Sequence, residues 1–231
     1  MDELISALGK LIEKKRNIKT GTMQQLLTGK RRLPGFKGKW VEKRLGDVCL
    51  LNPSSGKSIP ESFIYIDLES VANGRLIEKK TVLKSQAPSR AQRLFLKRDI
   101  LFQTVRPYQK NNLYVDFDPE NYVASTGYAI MRGIEVYSDT LFIYHIIHMD
   151  NFVLEVLDRC TGTSYPAINP QRLAEITIHI PMDTAEQRAI AAVLSDMDAE
   201  IAALEAEKHK VESIKQGMMQ ELLTGRVRLM Q

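Results

Sequence analysis

Residues 18–33 read IKTGTMQQLLTGKRRL, and residues 214–229 read IKQGMMQELLTGRVRL. Extended toward the N-terminus without gaps, the match pairs 1–33 with 197–229 at an offset of 196, with 17 of 33 positions identical. Chance does not produce an ungapped match of this length and identity. One segment is used twice, at either end of a 231-residue chain, around a different middle.

Both copies read as long amphipathic helices. In the second, Ile190, Leu194, Met197, Ile201 and Leu204 recur at alternating steps of four and three, the seam of a coiled coil. The stripe runs on through Val211, Ile214, Met218 and Leu222, with Lys208 interrupting it and a slip at 211–214. In the first copy Met1, Ile5, Leu8, Ile18, Thr22 and Leu26 fall on the same stripe. Pro181 closes the preceding strand, and Thr184–Gln187 fits a capping box. Gly29 and Gly225 are matching stops after Leu-Leu-Thr. A helix over 185–223 spans ~58 Å at about 1.5 Å per residue. The first helix ends where the middle begins, and the second begins where the middle ends. The two are therefore expected to pair antiparallel, seam to seam, and to project from the middle rather than fold onto it.

The middle, 34–182, reads as a separate α/β unit, so the chain as a whole is expected to be α+β. Segments 63–68, 100–104, 113–117, 122–131 and 175–180 are short and rich in β-branched or aromatic residues, as strands are. Segments 140–148 and 152–159 read as helices. Loops are expected at 52–60, 84–93, 105–112 and 161–170. They carry side chains suited to base edges and phosphates, with Lys57 in the first of them and Thr163 and Tyr165 in the last. The densest case is Val105-Arg106-Pro107-Tyr108-Gln109-Lys110-Asn111-Asn112.

Charge is unevenly spread. The net formal charge is +8 over 1–44, −1 over 45–182 and −3 over 183–231, within a total of +4. Inside the near-neutral middle, the stretch from Lys84 to Lys110 holds seven basic residues and one acid, Asp99. That is a candidate phosphate-binding face; a solvated basic surface explains it equally well.

Composition excludes several classes. Apolar residues are 44% and charged residues 26%, the balance of a soluble globular protein. No apolar run approaches the ~18 residues that a membrane-spanning helix needs. Acids come early and lysines late at the N-terminus, the reverse of a secretory signal. Cys49 and Cys160 are isolated, which suggests neither a zinc site nor a disulfide framework, so the cytoplasm is the expected compartment. The four histidines, 145, 148, 179 and 209, form no metal-ligand pattern. There is no GxSxG, P-loop or GxGxxG. A DNA amino-methyltransferase would need a glycine-rich cofactor loop and an Asn/Asp-Pro-Pro-aromatic motif, which Asn52-Pro53-Ser54-Ser55 does not match. Glu78-Lys79-Lys80 is too weak a trace of a nuclease centre. A stand-alone methyltransferase or nuclease, and a coiled-coil adaptor with no DNA role, are the alternatives to a DNA reader.

Taken in order, the motifs are Leu26-Leu27-Thr28-Gly29 and Leu33-Pro34-Gly35-Phe36; Trp40 with Leu45-Gly46-Asp47-Val48; Asp99-Ile100-Leu101; Val105-Arg106-Pro107; Ser125-Thr126-Gly127-Tyr128; Gly162-Thr163-Ser164-Tyr165-Pro166; and Ile180-Pro181 leading into Glu186-Gln187-Arg188-Ala189-Ile190-Ala191. With the duplicated helix, this order resembles the specificity (S) subunits of type I DNA restriction–modification systems, over essentially the whole chain. Full subunits of that family carry two target recognition domains, each followed by a long helix. This chain resembles half of one, begun at a Met inside the central helix, since Met1 aligns with Met197.

The resemblance implies a repeat helix at 1–33, one target recognition domain at 34–182, and the second helix at 183–231, the helices forming an antiparallel coiled coil. It implies a non-catalytic reader of double-stranded DNA without a cofactor of its own. Methyltransferase (M) subunits carrying S-adenosylmethionine, and restriction (R) subunits, would be partners. Arg106 and Lys110 are the first candidates for base or phosphate contact, with Tyr108, Asn111 and Asn112 beside them. Arg90 and Arg93 are expected phosphate anchors. One domain reads one half-site, so a homodimer through the helices is expected, with Ile5, Leu8, Ile18, Leu26, Ile190, Leu194, Met197, Ile201, Leu204, Ile214, Met218 and Leu222 on the helix faces. The ~58 Å spacer corresponds to roughly 17 base pairs as an upper bound on half-site separation.

Overall fold

A computed structural model describes residues 1–224. The described residues divide into two compact units, Met1–Gln25 with 192–224, and Leu26–Ala191. Residues 26–33, which the repeat assigns to the first helix, therefore belong with the mixed α/β unit. Leu26 and Leu27 are buried, and Arg32 is bonded to the buried carboxylate of Glu186. In chain order the elements begin with α1 (Asp2–Leu26), β1 (Trp40–Arg44), α2 (Leu45–Val48), β2 (Cys49–Leu51), β3 (Ser62–Ile66), β4 (Val71–Ala72), β5 (Arg75–Leu76), β6 (Lys80–Leu83) and β7 (Ala91–Arg93). They continue with β8 (Ile100–Gln103), β9 (Leu113–Tyr114), β10 (Tyr122–Ser125), β11 (Tyr128–Gly133), α3 (Thr140–Ile146), α4 (Asp150–Asp158), α5 (Pro170–Ala174), β12 (Thr177–Pro181) and α6 (Thr184–Leu223).

The helical unit pairs α1 with α6. Asp2 meets Lys215, Lys15 meets Glu200 (2.5 Å), Arg16 meets Glu205 (2.7 Å) and Lys19 meets Asp198 (2.5 Å). Partner numbers fall as residue numbers rise, so the helices run antiparallel. Such exposed pairs are worth little stability each, but they fix register.

The seam differs from the sequence expectation at two places. On α1, Leu8 and Ile12 are buried while Ile18 is exposed. The inward stripe is Ile5, Leu8, Ile12, Lys15, Lys19 and Thr22, at steps of three and four, and Ile18 lies one residue outside it. On α6 the partly buried positions Leu204, Lys208, Val211 and Lys215 keep the period without a slip, while Ile214, Met218 and Leu222 are all exposed. Lysine stems fill seam positions while their ammonium groups reach carboxylates at the edge, so a hydrophobicity count misses them.

The mixed unit is built on two four-stranded sheets, ordered β6-β3-β10-β7 and β2-β11-β8-β9. β3 and β10 are parallel; the other pairs are antiparallel. The expected single strand over 122–131 is two strands, broken at Thr126-Gly127, and the break hands the chain from one sheet to the other. Gly127 packs closely there: a β-carbon would lie 3.1 Å from the Leu68 side chain, which would have to shift. The expected strand 113–117 is ordered as a ladder only over Leu113–Tyr114, and the expected loop 84–93 contains β7. One core gathers Ile66, Val71, Phe95, Leu101, Leu113, Val115, Ala124, Tyr128 and Ile130; a second gathers Phe63, Tyr65, Ala91 and Val123. A separate ladder, β1 against β12, pairs the two ends of the unit, Trp40 with Pro181 through Arg44 with Thr177.

The start of α6 corrects the capping-box expectation. Asp183 is the cap: its carboxylate accepts from Ala185 N (2.8 Å). Glu186 turns instead to Arg32. Gln187, fully buried, donates to the carbonyls of Tyr137 (3.0 Å) and Pro181 (2.8 Å) and accepts from Asp139 N (2.8 Å). The Glu-Gln dipeptide thus ties the helix root to the sheet unit rather than to its own first turn.

Candidate nucleic-acid interface

The loop after β8 is shaped by its own backbone. Arg106 (φ 53°) and Lys110 (φ 54°) both sit in the left-handed region, flanking a 3-10 turn over Pro107–Gln109. Each such non-glycine residue costs about 1–2 kcal/mol. Two within five residues indicate a conformation that the surroundings enforce.

Those surroundings are a network of buried amides and an imidazole. Gln103, buried at the end of β8, donates to Gln109 Oε1 (2.8 Å) and accepts from Asn111 N (3.2 Å). Its own N–H donates to Asn112 Oδ1 (2.9 Å). Asn112 Nδ2 lies 3.4 Å from His148 Nε2, and His148 Nδ1 lies 2.7 Å from the Tyr144 carbonyl. A neutral imidazole protonated on Nδ1 satisfies both contacts. Lys110 Nζ reaches the His148 carbonyl (3.0 Å) and Asp150 (2.6 Å). The loop is therefore clamped from β8 on one side and from the α3–α4 corner on the other.

The second loop packs on the first. Arg106 N donates to the Pro166 carbonyl (2.7 Å), Val105 and Thr161 each form a bridge with Ala167, and Ile168 N donates to the Thr104 carbonyl (3.0 Å). The Arg106 guanidinium lies 4.4 Å from the centre of the Tyr165 ring, a cation–π contact that holds its plane. Sequence separation of about 60 residues had kept these two loops apart in any local reading. Thr104 also bonds the Gly127 carbonyl through both N (2.9 Å) and Oγ1 (2.8 Å), and Thr126 N donates to the Arg90 carbonyl (2.8 Å). Arg90, at the head of β7, thus stands two backbone links from the loop base.

The expected contact residues do not all share one surface. Arg106, Tyr108, Thr163 and Tyr165 come together on the paired loops, with Tyr108, Thr163 and Tyr165 exposed and Arg106 half-buried. Lys110 and Asn111 are half-buried, and the Lys110 charge is shared with Asp150. Asn112 is corrected: at 2% exposure, with its amide committed inside, it positions the loop and does not present to a ligand. Arg90 is exposed; Arg93 is half-buried, with Nε lacking a partner. Lys57 lies in a different exposed loop, where its N–H donates to Ser55 Oγ (3.2 Å), and nothing ties it to the paired loops among the described residues. Gln109, exposed at the tip and held by Gln103, joins the presenting set. Its role depends on a buried glutamine that carries no periodic signal.

Chemically the surface offers a planar guanidinium, a phenol, a carboxamide and hydroxyls on a rigid base. That inventory suits bidentate and single hydrogen bonds to base edges and phosphate oxygens. Among the described residues, no group of three or more His, Cys, Asp or Glu is arranged to hold a metal ion, and no single helix is long and apolar enough to cross a membrane.

Residues 37–213 match the family model of the type I restriction modification DNA specificity domain. The chain is 22% identical over 182 residues to the type I restriction enzyme HindI specificity subunit of Haemophilus influenzae, covering 78% of this chain and 39% of that protein. It is 26% identical to the MjaVIII specificity subunit of Methanocaldococcus jannaschii, covering 99% of this chain and 58% of that one. The chain therefore spans roughly 40–60% of the length of these curated relatives. Among solved structures, the HsdS subunit from Thermoanaerobacter tengcongensis superposes with a TM-score of 0.63 at 27% identity, covering 82% of this chain and 49% of that one. The S subunit from M. genitalium, at 18% identity and a TM-score of 0.64 over 95% of this chain and 57% of that one, shares the fold.

Proposed function

Because the chain belongs to the type I restriction–modification DNA specificity family, we propose that residues 34–182, within its mixed unit, form a single target recognition domain that reads one half-site of double-stranded DNA and performs no catalysis. The observation that carries this reading is the union of the 105–112 and 161–167 loops, joined through Arg106 N and the Pro166 carbonyl. It sets Arg106, Tyr108, Gln109, Thr163 and Tyr165 on one clamped base. Prepositioned side chains discriminate bases because a wrong base leaves a fixed donor or acceptor unpaired. Arg106 is suited to a guanine edge, and Gln109 to an adenine edge. Arg90 and Arg93 serve as phosphate anchors, which set register without reading sequence.

Methylation belongs to partner M subunits, which would carry S-adenosylmethionine and flip the target adenine; R subunits would complete a cytoplasmic restriction complex. Two copies of this chain associate through their helices, giving a two-fold symmetric, interrupted target. The test is co-expression with the cognate M subunit, followed by mapping of methylated adenines. A symmetric interrupted motif that changes when Arg106 or Gln109 is replaced supports the reading. Methyl transfer by the isolated chain, or salt-insensitive DNA binding, counts against it.

A further inference from the structure

Gln103 is 1% exposed, and both ends of its carboxamide are bonded inside the loop that follows β8. Asn111 N lies 3.2 Å from one end, and the Gln109 side chain lies 2.8 Å from the other. A backbone N–H can only donate, so the end that meets Asn111 is the oxygen. The other end is then Nε2, a donor, and the Gln109 atom that receives it is Oε1. Reversing Gln103 would set Nε2 against the Asn111 N–H and leave donors unpaired in a buried place. One backbone N–H thus sets the polarity of two carboxamides in series. The Gln103 N–H on Asn112 Oδ1 (2.9 Å) anchors the backbone beneath them.

The consequence lies at the exposed tip. A glutamine on an open surface presents either end of its amide at equal cost. Gln109 does not: with Oε1 turned to Gln103, Nε2 is the end offered to a ligand, and Oε1 keeps one lone pair beside it. Its backbone is fixed as well, since Gln109 N donates to the Arg106 carbonyl (3.0 Å) in the turn between the left-handed residues Arg106 and Lys110. In the major groove adenine presents an acceptor, N7, beside a donor, N6, whereas cytosine presents only its N4 donor. Nε2 with the spare lone pair matches adenine. A cytosine amino group would meet it N–H against N–H.

We propose that Gln103 is a positioning residue that determines specificity at one base pair: it holds Gln109 with its donor outward, so that the loop accepts adenine and refuses cytosine there. Gln103 itself touches no DNA. The inference rests on the base-reading role proposed above and deepens it by naming the residue that fixes what Gln109 reads. Gln103→Glu inverts the device. An ionised carboxylate has acceptors only; it still takes the Asn111 N–H, and now takes Gln109 Nε2, which turns Oε1 outward. Once protonated, the same carboxyl donates its O–H to Gln109 Oε1 and restores the original polarity. Burial raises a carboxyl pKa, so both states are reachable between about pH 5 and pH 9. His148, Lys110 and Asp150 flank the loop in either chain, so the unaltered chain over the same range is the control.

Two measurements on the full chain test this. The first needs no DNA: by NMR, the Nε2 protons of Gln103 should exchange with water at least tenfold more slowly than those of Gln109. Gln109 protons as slow as those of Gln103 overturn the proposal, and this result stands whichever variants fold. In the second, the chain with its co-expressed M subunit selects from a randomised DNA duplex library. Gln109→Ala marks the base pair in question, where the preference for adenine over cytosine should fall at least tenfold. Gln103→Met should lower the same preference at least fivefold and leave the other positions intact. Gln103→Glu should keep it near pH 5 and lose it at least tenfold near pH 9, while the unaltered chain keeps it throughout. If Gln103→Glu does not fold, Gln103→Met decides. A preference unchanged in Gln103→Met, or lost equally at every position, overturns the positioning role. A motif unaffected by Gln109→Ala, or cytosine favoured at that pair by the unaltered chain, overturns the inference and leaves the DNA reader standing. No sequence preference at all in the unaltered chain overturns both.

Discussion

Arg32 closes its guanidinium on both oxygens of Glu186, a carboxylate with no exposed surface, across 154 residues of sequence. The pair joins the segment entering the mixed unit to the root of the helix leaving it. Removing the arginine strands a buried charge, and Arg32→Ala is expected to cost about 3–5 kcal/mol. Glu186→Gln, which removes the charge and keeps the shape, should cost less. Denaturant unfolding of the two variants checks the order.

Arg106 and Arg90 should fail differently on DNA. Arg106→Ala is expected to relax discrimination at one base pair by about 1–3 kcal/mol. Arg90→Ala should weaken binding to all sequences alike and reduce the salt slope by about 1. Binding titrations on a panel of single-base target variants, repeated across salt concentrations, separate the two.

Asn112 acts from inside the loop. Its side chain accepts from the Gln103 N–H, and Asn112→Ala leaves that buried donor unpaired at about 1–3 kcal/mol. The expected signature is loss of base discrimination together with a lowered Tm, although residue 112 touches no ligand. Discrimination unchanged in a destabilised variant would show that the clamp does not matter for reading.

Ile12 and Ile18 separate seam from surface. Ile12 is buried and Ile18 is 46% exposed. Ile12→Asp is expected to lower stability by at least about 2 kcal/mol, through lost burial and a buried charge. Ile18→Asp should stay within about 0.5 kcal/mol in dilute chain. Equal effects would mean that the helices pair through another face.

Burial pushes the Cys49 thiol up to about 12, while Cys160 is raised by burial but partly exposed. At pH 8 a soluble thiol reagent should label Cys160 and spare Cys49 until denaturant is added. The unfolded Cys49 thiol ionises near pH 8.5, before the folded one does. The unfolded state then holds fewer protons, so stability should fall as pH rises above about 8.5 toward 12. Cys49→Ala should flatten that fall in alkaline unfolding curves.

The duplicated segment, the long C-terminal helix and the mixed middle were legible because repeats and periodic apolar residues are local signals. Leu194, Met197 and Ile201 announce a helix seam without any knowledge of what they face. The order of the motifs sufficed for family resemblance, and the 105–112 loop stood out by composition alone. Position along the stripe was less secure: Ile18 was drawn in and Ile12 left out, because lysines at 15, 19, 208 and 215 fill seam positions that hydrophobicity does not mark.

Tertiary structure alone decided which loops share a surface and which polar residues turn inward. The Arg106–Pro166 bond, the Arg106–Tyr165 stack and the Arg32–Glu186 pair join residues about 60 or more positions apart, and nothing in the intervening sequence encodes their distance. Asn112 and Gln187 look like surface residues by type, yet both are buried, because backbone groups brought together by the sheets need their amides as partners. Local pattern specifies elements through side-chain periodicity. A site forms only where chain crossings bring separate donors and acceptors within hydrogen-bonding reach.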